Sequence, residues 1–303
     1  MKRAAIVIAV LGAALGLCAG SFGQGNSKPA GQNPPAGQSA QPAQPAQSAG
    51  QATAPAGKRP PKFNTQEESE AYKTAAALTD GPALEKAADD FATKYRDSEV
   101  RALLYRTAMQ RYQMANNADK MLEMAKKVLT IDPDDPEALV GVAQVLAERT
   151  RDTDLDRDQR LAEARKDAER SLLTVDTDIP TSGYPPEQLT AYKGYLKSEA
   201  YAVLGKLSSD AKNWADAESE LRKSIDAFPQ QVDSIAVLRL AVALDMQNKI
   251  PEALKYADQA VDLTKDRPDS GAGKAARDEK DRLTKLNVGA APGPAQTATP
   301  PKN

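Results

Sequence analysis

Apolar residues recur every three or four positions through residues 63–288, and no stretch there alternates with a period of two. This spacing is typical of helices that each bury one face, whereas a half-buried strand would alternate. Short segments rich in Asn, Asp or Pro interrupt the pattern, as expected for antiparallel helix pairs joined by tight turns. The sequence therefore predicts an all-α fold for this region.

The helical region also repeats itself. The clearest unit spans residues 198–231, with Tyr201, Leu204 and Gly205 on a first helix and a turn near Lys212-Asn213. The same register returns over residues 102–135 and 234–267, in an expanded form over 136–175, and over 67–98. A lone helix pair cannot bury its apolar face, so such units must stack. In the clearest unit the second helix ends at Pro229 and carries Trp214, Ala217, Leu221, Ser224 and Ile225.

These units resemble the tetratricopeptide repeat (TPR), a helix–turn–helix of 34 residues with a large residue, Leu and Gly on its first helix and small residues on its second. The resemblance covers residues 65–267 in four to five units, and Ser208 departs from it where the family usually has a large aromatic residue. The first unit also resembles the N-terminal repeats of periplasmic assembly lipoproteins and related envelope TPR proteins, through Phe91, Ala92, Tyr95 and Asp97-Ser98.

The resemblance implies an all-α, TPR-like helix–turn–helix solenoid over residues 63–288. Ala217 and Ala253 occupy the same repeat position, and side chains this small let neighbouring helices approach closely. Residues 275–286 are expected to form a C-terminal capping helix, with Leu283 and Leu286 on its buried face. The first helix of the clearest unit is predicted to begin after Pro186 and to run for about 20 residues, or about 30 Å.

In TPR proteins the concave surface is lined by first-helix side chains that packing does not use. Some TPR grooves clamp a partner's C-terminal carboxylate with paired Lys and Asn residues, and this sequence does not reproduce that pattern. The resemblance implies a protein or peptide as the partner. The partner-binding residues carried onto this sequence are Arg106, Gln110, Gln144, Glu199 and Lys206.

The N-terminus has the pattern of a secretory signal peptide over residues 1–23. Lys2 and Arg3 precede an uncharged run over residues 4–17, and small residues follow, so cleavage after either Ala19 or Gly23 is possible. A run of about 14 apolar residues is shorter than the roughly 20 that span a bilayer. The sequence therefore predicts export to the periplasm or secretion.

Cys18 leaves an alternative open. Residues 15–19 resemble the lipobox of bacterial lipoproteins, whose cysteine is acylated, although that motif has a small residue where this sequence has Leu17. The protein would associate with a membrane only if Cys18 is lipidated.

Both ends of the chain are predicted to be disordered. Residues 24–62 form a linker rich in Pro, Ala, Gln, Gly and Ser, and residues 289–303 have the same character. Segments with so few large apolar residues cannot offset the entropy of ordering the chain. Two interpretations of the linker stay open: a spacer that holds the solenoid away from a surface, and a tail without a function.

Composition excludes several classes of function. The chain has no histidine and one cysteine, which excludes Ser-His-Asp and Cys-His catalytic sites, His-ligated or Cys-ligated metals and internal disulfides. Forty basic and 42 acidic residues give a net charge of −2 without a basic stripe, so a nucleic-acid partner is not expected. No glycine-rich phosphate loop or acid pair marks an active site. We therefore expect no enzyme activity, no catalytic residue and no cofactor.

An acidic run between two helices has nearly the spacing of an EF-hand calcium loop. The loop needs a glycine at its sharp turn, and Arg157 stands in that place. The run is interpreted as a solvated turn in which Asp154 or Asp156 caps the next helix, and no metal site is expected. Its acidic residues are Asp152, Asp154, Asp156 and Asp158, followed by Glu163.

The sequence thus predicts an exported TPR scaffold or adaptor that binds a protein or peptide in the bacterial cell envelope. Two alternatives stay open: a lipid-anchored component of an outer-membrane assembly complex, and a non-catalytic subunit of an envelope enzyme. The sequence does not identify the partner.

Overall fold

A computed structural model describes residues 57–181 and 184–289. The predicted signal peptide with Cys18, residues 24–56 of the predicted linker and residues 290–303 of the predicted tail lie outside the described residues. The described part of the chain holds eleven α-helices and no strand. In chain order these are α1 (Gln66–Ala76), α2 (Gly81–Lys94), α3 (Arg101–Met114), α4 (Ala118–Ile131), α5 (Pro136–Arg149), α6 (Arg157–Thr174), α7 (Pro186–Asp210), α8 (Trp214–Ala227), α9 (Ser234–Asp245), α10 (Ile250–Thr264) and α11 (Gly271–Gly289).

The helices stack in pairs along the chain. Each helix packs against the next, and odd-numbered helices contact one another from α5 through α7 and α9 to α11, and from α1 to α3. Five helix pairs therefore form a TPR-like solenoid whose odd-numbered helices share one layer. The long first helix of the fourth pair begins at Pro186 as predicted and spans 25 residues rather than about 20.

Helix starts follow from side-chain caps in five places. A backbone N–H in the first turn of α1, α2, α4, α5 and α9 donates a hydrogen bond to the side chain of Thr65, Asp80, Asn117, Asp135 and Asp233, respectively. Such caps satisfy amide groups that have no partner within the helix.

Three pairs turn from first to second helix in the same way. Asn116, Lys212 and Asn248 each have a positive φ, between 55° and 61°, which lies in the left-handed region. The residue after each donates its backbone N–H to a carbonyl five residues earlier, at 2.8–3.0 Å. This left-handed closure satisfies carbonyls at the helix end and reverses the chain within three or four residues.

Small residues let the helices approach, as predicted. Ala217, Ala253 and Ala257 are fully buried. Gly205 faces Leu221 so closely that an added Cβ would lie 2.6 Å from the Leu221 Cγ. The contacts that close the fourth and fifth pairs thus depend on the small residues that the repeat pattern identified.

The capping helix is α11. It buries Leu283 against α9 and α10 and Ala276 against a second small apolar cluster. Arg282 extends from α11 to Asp245 at the end of α9, 2.5 Å away. The expectation that Leu286 would be buried beside Leu283 is wrong, because Leu286 is 45% exposed near the C-terminal end of the helix.

The described chain begins six residues before the predicted solenoid boundary at residue 63. Residues 57–62, which we call the strap, lie along the connections between successive helix pairs. Phe63 then packs against Tyr72 of α1, with ring centroids 5.3 Å apart.

Candidate protein-binding surface

The inner face of the solenoid is formed by α5, α7 and α9. Gln144 on α5 places its Nε2 3.5 Å from a carboxylate oxygen of Glu199 on α7. Arg239 on α9 donates to Glu148 on α5 across a distance of 2.8 Å, although α7 lies between them in the stack. Three first helices therefore curve toward a common surface, on which the structure brings together the predicted residues Gln144 and Glu199.

An apolar stripe lies on the same face of α9. Helical steps of four, three and four residues separate Ile235, Arg239, Val242 and Met246, so all four residues share one side of the helix. Ile235 is 43% exposed and Met246 is 54% exposed, while Val242 is partly exposed. The surface thus combines exposed apolar side chains with the Arg239–Glu148 ion pair.

Sequence reasoning missed this stripe, although a signal for it exists. The repeat pattern uses Val237, Leu240, Ala241 and Leu244 for packing, and all four are buried. Ile235, Val242 and Met246 are additional apolar residues on a helix whose packing positions are already filled. Apolar residues beyond those that packing requires, gathered on one face, mark a surface that a partner can cover.

Lys206 lies on α7 and is engaged within its own helix. Its Nζ is 2.6 Å from Asp210, one turn further along. Such a pair within one helix contributes only a few tenths of a kcal/mol, so Lys206 can exchange Asp210 for an acidic group of a partner at little cost.

Arg106 and Gln110 occupy a different place from the other three predicted residues. Arg106 of α3 donates to Asp135, which also caps α5 through the backbone N–H of Ala138. Gln110 is only 8% exposed and donates to Glu137 at 2.8 Å. Both predicted side chains thus hold α3 against α5 within the fold.

A tyrosine from the next pair completes this contact. The hydroxyl of Tyr192 on α7 donates to the second oxygen of Glu137 at 2.7 Å, and the Nε of Arg106 lies 3.8 Å from the same oxygen. Burial raises the pKa of Glu137, while the Arg106 charge opposes that shift. Burial and the Glu137 charge also raise the pKa of Tyr192 well above 10. We call Arg106, Gln110, Asp135, Glu137 and Tyr192 the polar junction.

The acidic run between α5 and α6 pairs with arginine. Arg157 lies 3.1 Å from Asp152 and 2.8 Å from Asp158. Asp154 accepts the backbone N–H of Arg151, and Asp156 stands at the N-cap position of α6 without a capping hydrogen bond from its side chain. The expected side-chain cap is therefore absent, because Asp154 closes the preceding turn instead. Among the described residues, no three His, Cys, Asp or Glu side chains gather where they could hold a metal ion.

Within the two described ranges, no helix is long and apolar enough to cross a membrane. No protein-family model matches the sequence, and no curated protein matches it. Among solved structures, the chain is similar to PilW, which is described as a widely conserved type IV pilus biogenesis factor. The identity is 18% and the TM-score 0.38, and the match covers 70% of this chain and 99% of PilW. A similarity at this level gives no information about function.

Proposed function

We propose that this chain is an exported, non-catalytic scaffold of the bacterial cell envelope that binds a protein or peptide on the inner face of α5, α7 and α9. The observation that carries the proposal is the apolar stripe Ile235, Val242 and Met246 beside the Arg239–Glu148 pair. Apolar anchors surrounded by polar groups are the usual source of affinity in protein interfaces.

The five predicted partner-binding residues divide into two groups. Gln144, Glu199 and Lys206 contribute polar groups at the rim, where they can adjust to a partner. Arg106 and Gln110 act indirectly in this proposal, because their contacts hold α3 and α5 in place. The anchor residues come from α9 instead.

Partner capture from an envelope extract tests the proposal. The full chain serves as bait beside the double variant Ile235→Asp/Met246→Asp. The matched control is Leu173→Asp, which makes the same chemical change at a residue of α6 that is 78% exposed. We expect a protein that the wild type and the Leu173→Asp variant both retain and the double variant loses. Retention of the same proteins by all three baits would contradict the inner face as the binding surface.

The export part of the proposal rests on the pattern of residues 1–23 and has its own test. Mass spectrometry of the mature protein is expected to show a free N-terminus after Ala19 or Gly23. A diacylated N-terminal Cys18 would instead support the lipid-anchored alternative, and an intact Met1 would contradict export.

A further inference from the structure

The strap is attached to the solenoid by a backbone hydrogen bond and a lysine. The Lys58 N–H donates to the Thr177 carbonyl at 2.8 Å. The Lys58 Nζ lies 2.5 Å from Asp132 and 3.6 Å from Asp178. Because Asp132 follows α4 and Asp178 follows α6, one strap residue connects two successive helix pairs.

An arginine attaches the strap to a third connection. The Arg59 guanidinium donates two hydrogen bonds to Glu99, which follows α2, and the Nη1 bond measures 2.8 Å. Hydrogen bonds from Arg59 and from the Lys62 backbone lower the pKa of Glu99, which stays a carboxylate. Glu99, Asp132 and Asp178, which we call the acidic edge, thus come from three successive connections between pairs.

The surface beneath the strap contains a cavity as well as charged residues. A cavity of about 260 Å³ lies between the strap and the solenoid. Besides the charged residues of the ion pairs, it is lined by Pro61 of the strap and by Ala102, Leu103, Arg106 and Ile131 of the solenoid. Pro60 and Pro61 favour an extended chain without internal hydrogen bonds. The strap is thus an extended segment with two adjacent basic residues and a proline beside a partly apolar cavity.

The strap is held by contacts that can exchange. Arg59 and Glu99 are 59% and 49% exposed, and exposed ion pairs contribute little because water solvates both partners. Salt screens such pairs further. Ion pairs and a backbone hydrogen bond attach Lys58 and Arg59, so a competing segment of similar chemistry can replace the strap.

We propose that the acidic edge is a docking site for an extended, basic, proline-containing segment of a partner protein, and that the strap occupies this site in the free protein. The site is separate from the inner face, so it does not depend on the function proposed above. Since only residues 63–65 separate the strap from α1, the strap has an effective concentration of about millimolar at the edge and competes with the partner.

A labelled peptide with the sequence of residues 57–63 is the probe, and fluorescence anisotropy at low salt reports its binding. The full-length variant Lys58→Ser/Arg59→Ser frees the site. We expect the peptide to bind this variant about tenfold or more tightly than the wild type, because the cis competitor is lost. Binding is expected to disappear when Glu99→Gln and Asp132→Asn are added. It should persist when Asp119→Asn is added instead, since Asp119 is an exposed acidic residue away from the edge.

Three results would overturn the proposal: no binding to the freed variant at millimolar peptide, equal binding to the wild type, or binding that survives the loss of Glu99 and Asp132. Trypsin provides a second measurement, because Lys62 precedes Phe63 in a cleavable bond. Cleavage there is expected to be several-fold faster in Glu99→Gln/Asp132→Asn than in the wild type or Asp119→Asn. An unchanged rate would show that the edge does not hold the strap.

Discussion

Two kinds of contact join the helix pairs of the solenoid, one polar and one mainly apolar. The polar junction connects α3, α5 and α7 through Arg106, Glu137 and their partners. The contacts among α8, α9 and α10, which we call the apolar junction, have a buried core of apolar residues such as Ala217, Leu221 and Ala253. Its ion pairs, such as Arg222–Glu252, are partly exposed at the edge of that core. Buried charges and hydrogen bonds are directional, whereas apolar contacts are non-directional and gain their strength from close packing. The difference indicates that the polar junction specifies one register and that the apolar junction depends on close fit.

This contrast predicts its largest effect at Arg106. Replacing Arg106 by Met would leave Asp135 and Glu137 buried without their cation, and removing one partner of a buried pair costs about 3–5 kcal/mol. We expect the free energy of unfolding to fall by that amount in chemical denaturation. As a control, Arg222→Met removes partly exposed pairs with Glu218 and Glu252 and should cost about 1 kcal/mol or less. Equal losses in the two variants would contradict the special role of the polar junction.

A smaller loss is predicted next to the apolar junction. The Cβ added by Gly205→Ala would lie 2.6 Å from the Leu221 Cγ and so force α7 and α8 apart. Overpacking of this kind costs about 1–3 kcal/mol. Gly271→Ala is the matched control, because no atom lies within 4 Å of the added Cβ. If both variants unfold at the same denaturant concentration, the close approach of the helices at Gly205 does not contribute to the stability of this junction.

The pH dependence of stability distinguishes the two junctions further. Burial raises the pKa of Glu137, so the folded protein keeps this proton to a higher pH than the unfolded chain. Its contribution to stability is therefore greatest below the ordinary carboxyl pKa and declines as the pH rises through the folded-state pKa. Glu137→Gln removes that decline.

The measurement is the difference in unfolding free energy between the wild type and Glu137→Gln from pH 4 to pH 7. The variant also differs from the wild type by a pH-independent amount of unfolding free energy, because an amide cannot accept two hydrogen bonds in the way that the carboxylate does. As the pH rises, the unfolding free energy of the wild type should fall relative to that of the variant. A difference that is constant, or that grows in favour of the wild type, would show that Glu137 carries no raised pKa.

The smallest effect concerns a feature that pairs at both junctions share. Lys212 adopts the left-handed conformation that Asn116 and Asn248 adopt in the equivalent turns. Asn tolerates this conformation better than other residues with a side chain. Lys212→Asn should therefore raise the free energy of unfolding by about 0.5 kcal/mol, and Asn248→Lys should lower it similarly. Thermal denaturation of both variants checks the prediction, which fails if the two shifts have the same sign.

The sequence by itself determined the modules of this protein. Three features of the sequence determine local conformation and close packing. They are the spacing of apolar residues by three or four, the small residues Gly205, Ala217 and Ala253, and the prolines beside helix ends. Because similar sequence units adopt similar local structure, helices α1 to α11 and their pairing could be predicted. The three left-handed turns follow from the same cause.

Only the tertiary structure decided what the polar residues do. Arg106 and Gln110 stand at positions that a repeat pattern assigns to a groove, yet Glu137 and Tyr192 draw them into the polar junction. The strap meets Asp132 at a separation of 74 residues, and Arg239 meets Glu148 across 91. Such contacts depend on how far each pair rotates against the next, and that rotation is set by the sum of many small packing contacts. No short stretch of sequence determines that rotation.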